Sequence, residues 1–144
     1  MQALARRAAG VSPPRSIEKT AAALSAGYWK NHQEHTTSLL SIALGGYTVG
    51  TFADATAVFA NMNCGKSSAN DAAGCLAAQL LAAKLNLKNG AGTCIAPTIA
   101  SADAFLVSIG YTGPNATYTL TAAQRAQAIG LKDVLDKYNN GLGC

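Results

Sequence analysis

The sequence has few charged and few aromatic residues. Charged residues make up 12% of its 144 residues and aromatic residues 6%, whereas hydrophobic residues, mostly alanine and leucine, make up 49%. A nucleic-acid-binding domain usually carries a basic stripe with stacking aromatic rings, and the sequence shows no such stripe. It also has no run of about 18 apolar residues. We therefore expect neither a nucleic-acid partner nor a membrane span.

Closely spaced cysteine pairs are also missing. The four cysteines are Cys64, Cys75, Cys94 and Cys144, and no two have the spacing of zinc or redox motifs. Three disulfide pairings are possible, and we favour Cys64–Cys75 with Cys94–Cys144. Disulfides would imply an oxidising compartment, and thus an extracellular or cell-surface location. Four free thiols in a cytosolic protein are the alternative.

The positive charge is concentrated at the N-terminus. The net charge is +4, and four cations lie in the first 19 residues: Arg6, Arg7, Arg15 and Lys19. No apolar stretch follows them, so this segment does not have the pattern of a secretory leader. We interpret residues 1–24 as a basic leader that is flexible or docks on a partner, and residues 25–144 as one domain.

Hydrophobic periodicity predicts a mainly α fold: a compact bundle of about five helices with one small β-hairpin, stapled by disulfides. The hairpin strands are residues 41–44 and 47–49, around Gly45-Gly46. Thr51 and Asp54 resemble a capping box that starts a helix. The other predicted helices span residues 17–26, 28–32, 71–87, 96–108 and 122–138.

One short segment resembles a known family signature. The segment is Gly27-Tyr28-Trp29-Lys30-Asn31-His32, which is similar to the G-Y-W-K-N-H signature of a large family of bacterial secreted and cell-surface modules. Further matches follow in the same order along the chain. They are residues 42–48, 77–91, 94–96 with 102–106, and 131–141.

The resemblance covers about residues 25–144, and no activity is established for the family. It implies a secreted or cell-surface bacterial protein without implying a reaction or a cofactor. The loop between Cys64 and Cys75 is longer than is usual for the family, and the basic leader does not match. Within the signature, we expect Trp29 in the core with a partner for its indole N–H. We expect Asn31 and His32 to hydrogen-bond to nearby backbone.

Two chemical sites are conceivable. His32 and His35 are spaced to share one helical face and are weak candidates for a metal site, such as that of a metal-dependent hydrolase. No third ligand is evident, and we expect structural histidines instead. Aromatic side chains suggest an extracellular glycan-binding surface as another alternative. These are Tyr28, Trp29, Tyr47, Tyr111 and Tyr118.

The main hypothesis is a structural or interaction module of a secreted or cell-surface bacterial assembly. Low charge leaves little repulsion between copies, so self-association into a filament or a surface layer is plausible. The expected partners are further copies or other extracellular proteins, with glycan as the alternative. We expect no cofactor and no catalytic activity.

Overall fold

A computed structural model describes residues 20–64 and 69–144. In this part of the chain, six α-helices and a two-stranded antiparallel hairpin form the predicted mainly helical, disulfide-stapled domain. The helices are α1 (Ala26–Asn31), α2 (Gln33–Leu39), α3 (Phe52–Phe59), α4 (Ala69–Lys88), α5 (Ala96–Ser108) and α6 (Ala122–Asn139). The strands are β1 (Ile42–Leu44) and β2 (Tyr47–Val49), and a short 3₁₀ helix spans Thr93–Ile95.

The centre of the domain is α4. From Ala72 to Ala83 every residue is buried, because α1, α3, α5, α6 and β1 all pack against the helix. Leu76, Leu80, Leu81 and Leu85 are fully buried. Alanines between them keep the helix narrow, so several neighbours approach it closely. A helix that is apolar all round belongs in a core, and α4 fits that rule.

The helix starts follow from capping residues. The Thr51 hydroxyl accepts from the Asp54 N–H, and the Asp54 carboxylate accepts from the Thr51 N–H. This is the capping box predicted for α3. Thr121 and Gln124 form a second one at α6. Pro97 lies in the first turn of α5, where its missing N–H costs nothing.

The helix predicted over residues 17–26 is wrong for its described part. Residues 20–25 are not helical, and α1 begins at Ala26 with Ser25 as its N-cap. Gly27 therefore lies inside α1 and does not end a preceding helix. The backbone of residues 20–24 is bonded elsewhere: the Ala21 N–H donates to the Gly90 carbonyl at 3.0 Å. Residues 1–19 lie outside the described residues, so most of the predicted basic leader does as well.

Both disulfides pair as predicted, Cys64 with Cys75 and Cys94 with Cys144. Their Cα atoms are 5.6 Å and 6.0 Å apart, within the usual range for disulfides. The first joins the segment after α3 to α4. The second joins the 3₁₀ helix to Cys144 beyond the end of α6. Two disulfides fit folding in an oxidising compartment. Within residues 20–64 and 69–144, no helix is long and apolar enough to cross a membrane.

Candidate functional site

The signature residues are built around a buried tryptophan. Trp29 is fully buried in α1, and its indole N–H donates to Asn86 Oδ1 at 3.2 Å. Its own carbonyl accepts from the buried Thr36 hydroxyl at 2.7 Å, which joins α1 to α2. The prediction that Trp29 packs in the core with a partner for its N–H is confirmed.

Asn86 uses every hydrogen-bonding position of its side chain. Besides the indole N–H, Oδ1 accepts from the Leu24 N–H at 2.8 Å. Its Nδ2 group donates to the Leu24 carbonyl at 2.8 Å and to Asn139 Oδ1 at 3.0 Å. An amide offers two donors and two acceptor positions, and Asn86 fills all four while fully buried. Replacing it would leave several buried polar groups without partners, at about 1–3 kcal/mol each.

Asn139 carries the network onward from α6. Its Nδ2 group donates to Gln79 Oε1 at 2.9 Å and to the Gln79 carbonyl at 3.0 Å. Both residues are buried, Asn139 completely. We call Asn86, Asn139 and Gln79 the buried amide network. It ties the N-terminal segment and α1 to α4 and α6, and so fastens the two ends of the domain together.

A ring cluster lies at the edge of this core. His35 Nδ1 and the Tyr28 hydroxyl form a hydrogen bond at 2.7 Å. The other ring nitrogen, Nε2, lies 2.9 Å from Asn89 Oδ1. Because Asn89 Oδ1 only accepts, His35 Nε2 carries a hydrogen and donates to it. Both ring nitrogens are therefore occupied within the fold.

His32 also bonds to its own helix. Its Nδ1 donates to the Tyr28 carbonyl at 2.6 Å, and its ring stacks on Tyr28 with centroids 3.8 Å apart. Asn31 Nδ2 donates to the Gly27 carbonyl at 2.9 Å. Both side chains hydrogen-bond to nearby backbone as predicted, whereas Lys30 is exposed.

His32 and His35 are not arranged as a metal centre. His35 has no free nitrogen unless it breaks its contacts with Tyr28 or Asn89. Within residues 20–64 and 69–144, no group of three His, Cys, Asp or Glu residues could hold a metal ion. The described geometry therefore gives the hydrolase alternative no support.

The proposed sugar-binding aromatic residues are mostly buried. Trp29, Tyr111 and Tyr118 are at most 6% exposed, so their faces pack against protein. Tyr28 and Tyr47 are half-buried. Because His32 stacks on one face of Tyr28, that ring is partly covered as well. These five residues do not form one open aromatic platform of the kind that stacks on sugar rings.

Tyr111 has the most unusual environment of the tyrosines. It stacks on Tyr118 and meets Tyr47 edge-on. Among the described residues, its hydroxyl has no hydrogen-bond partner. Burial, with smaller contributions from Tyr118 and Tyr47, strongly raises the pKa of Tyr111. Burial therefore favours the neutral form of the Tyr111 phenol.

One open groove runs beside the hairpin. Its volume is about 350 Å³, and its apolar lining is Ile42, Ala43, Leu87 and Ile99. Its polar lining is Ser41, Lys84, Lys88 and Asp103. We call this the β1 groove. Asp103 on α5 links the hairpin turn to α4. Its carboxylate accepts from the Gly45 N–H at 2.8 Å and pairs with Lys84 Nζ at 2.7 Å.

Comparison of the chain with protein-family models, with curated proteins and with solved structures finds no match. The resemblance to the G-Y-W-K-N-H family therefore rests on the sequence motifs themselves. What the fold adds is a physical reason for three of those segments to occur together. Trp29 comes from the signature, Gln79 and Asn86 from residues 77–91, and Asn139 from residues 131–141, and they meet in one hydrogen-bonded network.

The sequence pattern does not predict the buried amide network. Asn86 lies within an alanine- and leucine-rich helix, and Asn139 lies in an Asn-Asn-Gly run that is typical of a helix end. A single asparagine at a core position of an apolar helix is the signal that points to a buried partner, because such a side chain is costly without one.

Proposed function

We propose that this chain is a non-catalytic structural module of a secreted or cell-surface bacterial assembly, in which copies of the chain associate. The observation that carries the proposal is how the distinctive polar side chains are used. Trp29, Asn86 and Asn139 bond to one another inside the fold. A ligand site would direct such groups towards a cleft, whereas here they hold the domain together.

The two disulfide bonds support an extracellular setting. Two disulfides would persist in an oxidising environment. The family resemblance points to the same setting. A rigid domain that is cross-linked in two places also suits a subunit that must keep its shape outside the cell.

The outward sides of α5 and α6 support association between copies. On α5, Ala100, Ala104 and Val107 are exposed, and Val107 is 62% exposed. On α6, Gly130 and Val134 are exposed. The exposed residues of α5 are uncharged and small or aliphatic, so a second copy would meet little repulsion and lose little side-chain entropy there. On α6, Val134 lies between the exposed charges of Asp133 and Lys137.

Sedimentation velocity over a range of protein concentrations tests the proposal. We expect the wild-type average mass to rise with concentration. Val107→Lys and Val134→Lys should each shift the protein towards monomer, because a lysine would be desolvated at a contact between apolar faces. Thr37→Lys places the same charge on an exposed site of α2 and serves as the matched control.

Two results would contradict the proposal. One is a wild-type monomer at every concentration. The other is an equal effect of Thr37→Lys and the two valine variants, which would point to net charge and not to a specific face. Circular dichroism spectra of all variants establish that each retains its helical fold.

A further inference from the structure

Side chains from α4 and α5 bond to part of the outer edge of β1. The two-residue turn Gly45-Gly46 closes on the Leu44–Tyr47 pair, so ladder hydrogen bonds alternate along the hairpin. Ala43, which lies opposite Thr48, therefore directs its N–H and carbonyl away from β2. The carbonyl accepts from Lys84 Nζ at 2.7 Å, and the N–H has no partner in the ladder.

The β1 groove lies along this edge. Leu87 and Ile99 provide apolar surface from α4 and α5, and Ile42 adds to it from β1. Its volume of about 350 Å³ is at the small end of the range for ligand pockets. A groove between a strand edge and a helix is a general setting for an extended peptide that adds to the sheet.

The two lysines in this groove differ in their charge partners. Lys84 pairs with Asp103 at 2.7 Å. Lys88 Nζ donates to the carbonyls of Leu39 at 2.8 Å and Ser41 at 3.3 Å. No carboxylate pairs with it among the described residues. The groove therefore carries one uncompensated positive charge beside its apolar lining.

From these observations we propose that the β1 groove binds an extended peptide segment of a partner protein, in which an aliphatic side chain neighbours a carboxylate side chain. A backbone carbonyl of the peptide accepts the Ala43 N–H. The aliphatic side chain packs on Leu87 and Ile99, and the carboxylate pairs with Lys88. Positive charge in the groove and negative charge on the peptide are complementary, which favours this partner over a neutral or basic one.

Lysines at a strand edge also have an opposite role in many proteins, where they discourage pairing with another chain. The two roles predict opposite effects of removing the charge. If Lys88 attracts the peptide, Lys88→Gln weakens binding. If Lys88 guards the edge, the same variant binds more tightly or pairs with itself.

The proposal is independent of self-association, because it concerns β1, α4 and α5 residues that face the groove and not the outward sides of α5 and α6. A module that binds such a peptide as a strict monomer would contradict the proposed assembly and leave the groove proposal standing. Association of the copies without peptide binding would support the proposed assembly and overturn the groove proposal, so the two can fail separately.

Titration of the isotope-labelled protein, followed by NMR, tests the proposal. The probe is a synthetic pentapeptide with blocked ends and a central valine between two glutamates, flanked by serines. We expect shifts of the Ala43 amide and of the Leu87 and Ile99 methyl groups. A peptide with lysines in place of the glutamates should bind about fivefold or more weakly, since it repels Lys88.

The variant Lys88→Gln should likewise weaken binding of the glutamate peptide by about fivefold. Lys137→Gln makes the same charge change on an exposed site of α6 and should have no effect. The proposal is overturned if the peptide causes no shifts at millimolar concentration, if the lysine peptide binds equally well, or if Lys88→Gln binds as tightly as or more tightly than the wild type.

Discussion

Tyr111 and Tyr118 show how neighbouring residues of one type can have different effects on stability. Both rings are buried and stacked on each other. The Tyr118 hydroxyl accepts from the Thr112 N–H at 2.9 Å and donates to the Gly113 carbonyl. The Tyr111 hydroxyl has no hydrogen-bond partner among the described residues. One hydroxyl stabilises a turn, whereas the other is a polar group buried without compensation.

The two tyrosine-to-phenylalanine variants should therefore differ in their effect on stability. We expect Tyr111→Phe to leave the free energy of unfolding unchanged or to raise it by up to about 1 kcal/mol. Tyr118→Phe should lower it by about 1–3 kcal/mol, because the Thr112 N–H and the Gly113 carbonyl lose their partner. Urea denaturation at neutral pH measures both, and equal losses would contradict this interpretation.

Alkaline pH gives a second test of Tyr111. Burial raises its pKa above the ordinary value of 10.0, so the folded state keeps the phenol protonated where the unfolded chain releases the proton. This contribution to stability is complete below about pH 10 and is lost as the pH rises above it. Tyr111→Phe should make the alkaline decline in stability shallower. An unchanged decline would assign it to Tyr47 and Tyr138, whose pKa values burial also raises.

Residue patterns predicted local contacts better than distant ones. The backbone bonds of Asn31 and His32 span four residues, and such bonds follow from helical geometry and side-chain chemistry. The bond between Trp29 and Asn86 joins residues 57 apart. The sequence shows that the indole N–H needs a partner, but only the folded chain identifies which amide supplies it.

At the scale of elements, predictions held where the periodicity was strong. The bounds of α5 are as predicted, and α4 and α6 extend one or two residues beyond theirs. In α4, the spacing of Leu76, Leu80, Ala83 and Leu87 predicts one apolar stripe. Alanine on the other faces of the helix is compatible with either exposure or burial. These alanines are buried because α1, α3 and α6 pack around the helix.

The prediction of a helix before α1 is wrong for a related reason. Its sequence has adequate helix propensity, but propensity is a weak effect that tertiary contacts override. Residues 20–24 are held in an extended form by Ala21 pairing with Ala91 and by both Leu24 bonds to Asn86. Alpha-helical backbone at Leu24 would lose this pairing with Asn86.

The two disulfides should differ in their resistance to reduction. Cys94 and Cys144 are exposed, whereas Cys75 is fully buried. Access of the attacking thiolate controls the rate of exchange, so we expect dithiothreitol to reduce Cys94–Cys144 first. Alkylation of samples taken over time, followed by peptide mapping, gives the order. Earlier reduction of Cys64–Cys75 would contradict the expectation.

Their contributions to stability should follow loop length. The bridges close separations of 11 and 50 residues. Loop-closure entropy then predicts losses of about 3 kcal/mol for the paired serine variant of Cys64–Cys75 and about 4 kcal/mol for that of Cys94–Cys144. Thermal denaturation of the two double variants compares these losses, and a larger loss for the shorter loop would contradict the entropic account.

At the scale of the whole molecule, the buried amide network connects elements that are distant in sequence. The side chain of Asn86, on the central helix α4, hydrogen-bonds to the N-terminal segment, to α1 and to α6. The three segments that carry the family resemblance and contribute to this network are therefore interdependent. On this account, Trp29 and the amides that bond to it are a requirement for the fold.

Hydrogen exchange of the Trp29 indole N–H tests this account most directly. The chain has one tryptophan, so NMR shows a single indole signal. A buried N–H that bonds to Asn86 should exchange only when the whole domain unfolds, with a free energy of opening equal to that of global unfolding measured by denaturant. Exchange through a local opening of much lower free energy would show that the signature tryptophan is accessible in the folded protein, and would contradict the account.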